Sequence, residues 1–557
     1  MQKLQSTDYI VFLIYFCIVA AYGYWVYNRK KKTQLDSKDF FLAEGSLTWW
    51  AIGASLIASN ISAEQFIGMS GSGFKMGLAI ATYEWMAAAT LMIVAIFFMP
   101  IYLKNKIYTM PQFLTQRYST TVSTTMAIFW LLLYVVVNLT SILYLGALAI
   151  STVSGLNFWM CMSGLAIFAV IITLGGMKVI GYTDVIQVFF LILGGLATTY
   201  LAVTMVSEHF HTAGVGEGLG LLVNKAGDHF HMVFKKDNPN YLDLPGLTIL
   251  IGGMWIVNLN YWGCNQYITQ RALGADLPTA RNGILFAAFL KLLMPVIVVL
   301  PGIAAYVLFK EGMFQQEMTV GSEINPDRAY PVLLNLLPTG LKGLSFAALT
   351  AAIVASLAGK ANSISTIFTL DIYKKFFNTQ ASEKQLVFVG RIVVVVAMII
   401  AIIISPFLGI DKKGGFQYIQ EYTGFVSPGI FAIFILGFFW KRTTSSAALT
   451  AAVITFPLSI FLKALPTWTD LSFLSSSGFS VLSSESGLYE IPFLDRMGFV
   501  FMICVTFMVI ISLADSSGKN NPKGLEIDAA MFKPKGAFAV GATIILGILS
   551  ALYIIFW

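Results

Sequence analysis

SLTWWAIGASLIASNISAEQFIGMSGSG, residues 46–73, starts as a membrane helix and stops being one midway. Trp49, Trp50 and Ala51 to Ala58 are almost wholly apolar. Asn60, Ser62, Glu64 and Gln65 then arrive together, followed by the small residues Gly68, Ser70, Gly71, Ser72 and Gly73. In hydrocarbon each polar group costs free energy unless it faces the bundle interior or a wet cavity. One reading is a polar patch that glues the helix to a neighbour. The preferred reading is a helix broken at bilayer depth, whose freed carbonyls and N–H groups hold a cation and an anion or polyol.

The rest of the chain supports a membrane setting. Of 557 residues 57% are hydrophobic and 11% charged, with a mean hydropathy of +0.77. That composition specifies an all-α polytopic membrane protein. Apolar runs give about fourteen spans, centred near 9–27, 48–72, 77–103, 121–152, 157–176, 183–206, 246–271, 280–309, 341–372, 386–406, 416–440, 446–463, 493–514 and 536–556. The first run follows Asp8, lacks a basic leader and ends in Arg29-Lys30-Lys31-Lys32, a stop-transfer pattern rather than a cleaved signal.

Lys and Arg sort to alternate loops. If the loop after the first span is cytoplasmic, that side holds Arg29 to Lys32, Lys38, Lys104, Lys106, Arg117, Lys178, Arg271, Arg281, Lys374, Lys375, Lys384, Lys441, Arg442, Lys519, Lys523, Lys533 and Lys535. Both termini are therefore expected outside the cytoplasm, in the plasma (bacterial inner) membrane. The net charge of +7 reflects this bias and points to no nucleic-acid partner. All four cysteines (Cys17, Cys161, Cys264, Cys504) fall in apolar spans, with no disulfide or metal spacing. The two H-x-H pairs, His209/His211 and His229/His231, read as incidental loop residues in preference to a metal grip.

A second interruption falls in the span near 246–271, where Asn258, Asn260, Gly263, Asn265 and Gln266 break an apolar run. Two broken spans, each heading about five, suggest an inverted repeat with its site where the breaks meet. Charged and amide groups sit at membrane depth nearby: Glu84, Lys291, and Gln420 with Glu421. Either Glu84 and Lys291 form a buried structural ion pair, or they line a pocket with Gln65, Gln420 and the asparagines. Such a set suits a ring of neutral hydroxyls, each of which donates and accepts, with Tyr83, Tyr261, Trp262 and Phe416 against its apolar faces. Asp184 opens a span and reads equally as a helix N-cap or as a carboxylate on an ion path. Pro111 breaks the connection KNKIYTMPQFLTQR.

The span near 341–372 is rich in alanine, serine and glycine, which permits close helix approach. Hydroxyls such as Ser356 and Ser363 are expected to bond back to their own helix; the exception is a hydroxyl that faces the carbonyls freed near Ala58 to Ile61, where a hard cation finds oxygen. Lys360 lies one turn beyond Ser356.

These residues resemble the sodium/solute symporter family, close to its bacterial sodium/galactose and animal sodium/glucose branches. The carriers are SLIASNISAEQFIGMSGSG (55–73), YEWM (83–86), YTDVIQVFF (182–190), NLNYWGCNQYITQR (258–271), STIFTLDIY (365–373) and QYIQEYTGFVSPG (417–429). The resemblance implies a LeuT-like five-plus-five inverted repeat with two discontinuous helices. It divides the chain into an extra N-terminal helix and loop (1–45), a first repeat (46–207), an external loop (208–245), a second repeat (246–440) and three further helices (441–557). It implies a sugar held by Asn60, Gln65, Glu84, Asn258, Lys291 and Gln420, with Tyr261 beside Trp262 as inner gate and Met69, Tyr83 and Phe416 as outer cover. It implies a sodium ion on the carbonyls of Ala58, Ile61 and Ala352 and the Ser356 hydroxyl, next to Ala355, with Asp184 on the exit path. Ala87, Asn260 and Ala355 depart from the family, standing where sugar-carrying members have serine, tyrosine and serine.

The function read from the sequence is sodium-driven import of a hexose by alternating access. No enzyme is expected. The partners are a small sugar, sodium and the lipid bilayer, with the chain acting as a monomer or homodimer. Two alternatives keep the fold: another solute such as an inositol or amino acid, or sodium-independent, proton-coupled sugar transport through Lys360. Lys360 itself is expected to pair with Asp184 or snorkel to the interface.

Overall fold

The computed structural model describes residues 4–29, 47–175, 177–407 and 415–557. The basic cluster Lys30–Lys32 with Lys38 lies outside the described residues, as does Gly176. Among the described residues, ten helices are long and apolar enough to cross a membrane, and eleven if the bent pair Gly415–Gly424 and Ser427–Phe439 counts as one span. The expected fourteen are more because broken and short helices fail that test. Phe158–Thr173 has only 16 residues. Trp49–Asn60 and Gly253–Cys264 have 12 each before their breaks.

Both breaks fall where the polar residues interrupt the apolar pattern. The first helix ends at Asn60, Ile61 is extended (φ −80°, ψ 116°), and helix resumes beyond Ser62. Ser62 starts the second half by a reciprocal cap. Its amide donates to Gln65 Oε1 (3.0 Å), and its Oγ accepts from the Glu64 amide (3.2 Å). This is the physics of a capping box, two orphaned donors satisfied by local side chains. The second break is at Asn265 (φ −98°, ψ 129°). There the Tyr134 hydroxyl donates to Asn265 Oδ1 (3.0 Å) and accepts from the Gln266 amide (3.2 Å).

The helix Leu277–Lys310 packs along Trp49–Asn60, Ser70–Met76 and Thr82–Ile93. Leu341–Thr366 packs on Met177–His209 and on Trp49–Asn60. These helices surround both breaks. Ser445–Ala464, Phe493–Ala514 and Gly536–Ile555 form the periphery, with many apolar side chains exposed outward as lipid-facing helices require. The third helical stretch of each half carries a π-helical segment, Leu133–Leu139 and Ile367–Phe377.

The chain has two chemically distinct faces. On the basic face Arg117 donates to the carbonyls of Gly437, Trp440, Lys441 and Thr443, and Lys523 donates to the Tyr118 carbonyl at 2.5 Å. Pro111 does not break this connection: it sits in the first turn of the helix Met110–Arg117, capped by Thr109, where a missing N–H costs nothing. On the opposite, loop face, Met232 donates to the Phe556 carbonyl (2.7 Å), and Asp8 Oδ1 accepts from the amides of Gly340 and Gly343.

The loop face also fixes one glycine. Gly77 has φ +71°, and an added Cβ would lie 2.3 Å from the His229 carbonyl oxygen. Only a residue without Cβ turns the chain here while the 226–231 segment rests against it. Gly77→Ala is expected to destabilise the protein by about 1–3 kcal/mol, read as a lowered thermal midpoint in detergent. An unchanged midpoint would show that this packing is dispensable.

Candidate transport site

At the first break the polar side chains converge on Lys291. The ammonium, 1% exposed, pairs with Glu84 and donates to Asn60 Oδ1. Asn60 Nδ2 donates to the Tyr261 hydroxyl (2.9 Å). The Trp262 ring lies 5.1 Å from the Lys291 ammonium, a cation–π contact. One chain of contacts thus links Glu84, Lys291, Asn60 and Tyr261 across four helical segments. An isolated buried charge would cost several kcal/mol; the pair, with its extra acceptor and ring, compensates.

On the loop-face side Met69 is fully buried, and the Tyr83 and Phe416 rings meet edge-on at 5.0 Å. The Phe416 backbone approaches Gly68 so closely that a Cβ there would lie 2.8 Å from its amide nitrogen. Gln420 follows one turn later and is half-buried, whereas Glu421 points away to Arg496 (2.8 Å) and Lys463 (2.7 Å). Asn258 is buried and donates to its own helix at Met254 (3.2 Å). Asn260 donates to Ser427 Oγ (3.0 Å), tying two helices together. Gln65 is only partly available, because its Oε1 is committed to the Ser62 cap.

A second cluster lies toward the basic face. Ala58, Ile61, Ala352, Ala355 and Ser356 are all buried, and Ser356 Oγ donates to the Ser59 carbonyl (3.1 Å) across the two helices. The Ser62 amide, which a continuous helix would aim at Ala58, goes to Gln65 instead. Asp184 caps nothing, since its helix begins two turns earlier at Met177. It accepts from Ser55 Oγ (2.5 Å) and lies 3.9 Å from Arg271, which also donates to Ser55 Oγ (2.8 Å).

Lys360 neither pairs with Asp184 nor snorkels. It is 1% exposed and lies 3.6 Å from Glu64. Arg271, from beyond the second break, already takes Asp184, so the lysine finds the other carboxylate. The Arg271–Asp184 pair was missed in the sequence, although Arg271 follows directly on the polar run of the second break.

Among the described residues there is no cluster of three or more His, Cys, Asp or Glu side chains placed for a metal. The His229 ring stacks on Tyr306 with centroids 3.9 Å apart. An open cavity of about 1030 Å³ on this face, lined by Lys75, His229, Tyr241 and Tyr306 among others, touches none of the polar clusters.

A membrane bundle with two helix breaks meeting at buried polar side chains defines a secondary transporter. The profile of the family described as "Sodium:solute symporter family" matches residues 40–455, and the chain belongs to that family. It is a sodium-coupled symporter and not an enzyme. It is 46% identical to the Sodium/glucose cotransporter of Vibrio parahaemolyticus, over 100% of this chain and 99% of the relative. It is 35% identical to Sodium/myo-inositol cotransporter 2 of Sus scrofa, over 81% and 69%. It is 32% identical to Sodium/glucose cotransporter 1 of Ovis aries, over 82% and 71%. Its fold matches a Na+-coupled sialic acid symporter solved in a substrate-bound outward-open state, with a TM-score of 0.74 at 20% identity over 92% and 98% of the two chains. The LeuT-like fold expected from the sequence is thus present.

Because Lys291 and Glu84 are buried together, each single neutralisation leaves the other charge unpaired. Lys291→Met and Glu84→Gln should each cost about 3–5 kcal/mol, and the double variant less than their sum. Thermal denaturation of the three purified variants reads this, and strict additivity would mean that the pair is not coupled.

Asp327 joins the loop face to the start of the helix Gly415–Gly424. Its Oδ2 accepts from the Gly415 amide (2.8 Å), and its Oδ1 lies 2.5 Å from where a Gly71 Cβ would be. It lies outside the spans. Burial pushes its carboxyl up to about 7, against the opposing pull of the Gly415 amide. A raised carboxyl favours this packing when protonated. The stabilisation is complete below about pH 4, the unfolded value, and fades as pH rises through 7. The thermal midpoint of wild type should therefore fall relative to Asp327→Asn between pH 4 and 7.5. A constant difference would remove Asp327 as the titrating group.

Proposed function

We propose that this symporter imports a hexose of the glucose or galactose type by alternating access, driven by sodium. The observation that carries the reading is the continuous contact chain Glu84–Lys291–Asn60–Tyr261 at the first helix break. Its charges cancel, so the pocket suits a neutral solute. Its carboxylate, ammonium and carboxamides match hydroxyls that both donate and accept. The sugar lies among Asn60, Gln65, Glu84, Asn258, Lys291 and Gln420. Met69, Tyr83 and Phe416 cover it on the loop face. Tyr261, beside Trp262, closes the basic face through its hydrogen bond to Asn60, and release requires that bond to part.

Sodium sits on the carbonyls of Ala58, Ile61 and Ala352 with the Ser356 hydroxyl, and leaves past Asp184. A hard cation there draws the helix Leu341–Thr366 onto the break. Asn60 and Gln65 flank the same break, so filling the cation site orders the sugar ligands. A sodium ion crossing the membrane contributes about 2.3 kcal/mol per 100 mV, before any concentration gradient. The basic face is cytoplasmic, which places the loop face and both ends of the described chain outside, in the plasma membrane. The 46% and 32% identical relatives are named for glucose. The relative named for myo-inositol, at 35% identity, keeps a cyclic polyol as the second reading.

Purified protein in liposomes, given labelled glucose, galactose or myo-inositol with and without an inward sodium gradient, tests this. Hexose accumulation should require sodium and be lost in Gln420→Ala and Lys291→Ala. Tyr261→Phe should be milder than Tyr261→Ala, because the ring that closes the gate remains. Accumulation of inositol but neither hexose would establish the second reading, and folded Lys291→Ala protein with wild-type uptake would displace the pocket.

A further inference from the structure

Sugar binding and the sodium ligand set leave the buried ammonium of Lys360 unused. Lys360 Nζ lies 3.4 Å from Ser356 Oγ, 3.6 Å from Glu64 Oε1 and 5.1 Å from the Tyr267 ring centroid. Ser356 Oγ in turn donates to the Ser59 carbonyl at 3.1 Å. A single hydroxyl therefore bridges a fixed ammonium and the carbonyl edge of the first break.

An ammonium and a sodium ion seek the same oxygen atoms. Ser356 Oγ gives its proton to Ser59, which leaves its lone pairs for a cation. Two cations within a few ångströms, in a site without bulk water, repel strongly. Ala355, next to Ser356, adds no oxygen that would let both be held. Glu64 provides the way out. It opens the helical half beyond the break, is buried, and its Oε1 makes no hydrogen bond. The loose 3.6 Å contact has room to tighten. The other nearby cation, Arg271, is already engaged with Asp184 and Ser55.

We propose that Lys360 is a tethered competitor of the coupling ion. Its ammonium holds Ser356 when sodium is absent, and sodium enters by displacing it onto Glu64. This rests on the cation-site reading above and adds a specificity-determining pair to it. The competitor sets the sodium concentration at which the carrier loads.

Binding of labelled sodium to the purified full-length protein in detergent at pH 7 tests the proposal. Lys360→Met should lower the half-saturating sodium concentration at least about tenfold, since a like charge is removed. Lys360→Arg keeps the charge and should stay near wild type. Glu64→Gln removes the refuge and should raise the half-saturating concentration. Lys360→Met/Glu64→Gln, which leaves no unpaired charge, should still bind more tightly than wild type. A thermal midpoint for each variant establishes that it is folded. Equal or weaker sodium binding by folded Lys360→Met and by the double variant overturns the proposal. So does sodium-independent sugar accumulation by wild type that Lys360→Met abolishes, because the ammonium would then replace the ion instead of competing with it. Ser356→Ala separates the two layers. If it loses sodium binding while Lys360 variants change nothing, only the competitor fails. If it binds sodium as wild type does, the cation site fails and the competitor with it.

Discussion

A backbone amide or carbonyl inside a bilayer has no water to turn to, and this constraint organises the molecule. Breaking a helix at Ile61 exposes such groups where they are most costly. Local chemistry repairs one side of the break: Ser62 and Gln65 cap the resumed helix. The other side is repaired by tertiary contacts, with Ser356 reaching the Ser59 carbonyl from a different helix. The repaired break lies beside the polar cluster of Asn60, Lys291 and Glu84.

Charge follows the same logic. Six ionisable side chains are buried around the two breaks, Glu64, Glu84 and Asp184 against Lys291, Lys360 and Arg271. Their signs balance, and each carboxylate has a cationic partner. Balance in a medium that screens poorly keeps the bundle folded whether or not cargo is present. It also means that an arriving cation disturbs a neutral arrangement.

The breaks could be read from residues 46–73 and 246–271, because a continuous helix gains little from so many carboxamides in an apolar run, although a polar patch between helices is the competing reading. Glu84 with Lys291 was legible for the same reason, a charge in hydrocarbon being a question that only a partner answers. Pro111 was misread as a break because the sequence does not reveal that it occupies a first helical turn. Asp184 offered two roles from its place near a span boundary. The helix start at Met177 removed the capping role.

The sequence by itself determined that this is a polytopic helical membrane protein with two interrupted helices and polar groups at depth. Hydrophobicity and helix breaking act over short stretches of chain, so a linear reading captures them. Tertiary structure decided who pairs with whom. Lys360 meets Glu64 and not Asp184 because Arg271, delivered by the second break, reaches Asp184. Gln65 spends its carbonyl on a cap before any ligand competes for it. Such choices depend on distances between segments far apart in the chain, and the free energy of a buried charge is set by whichever partner those distances supply.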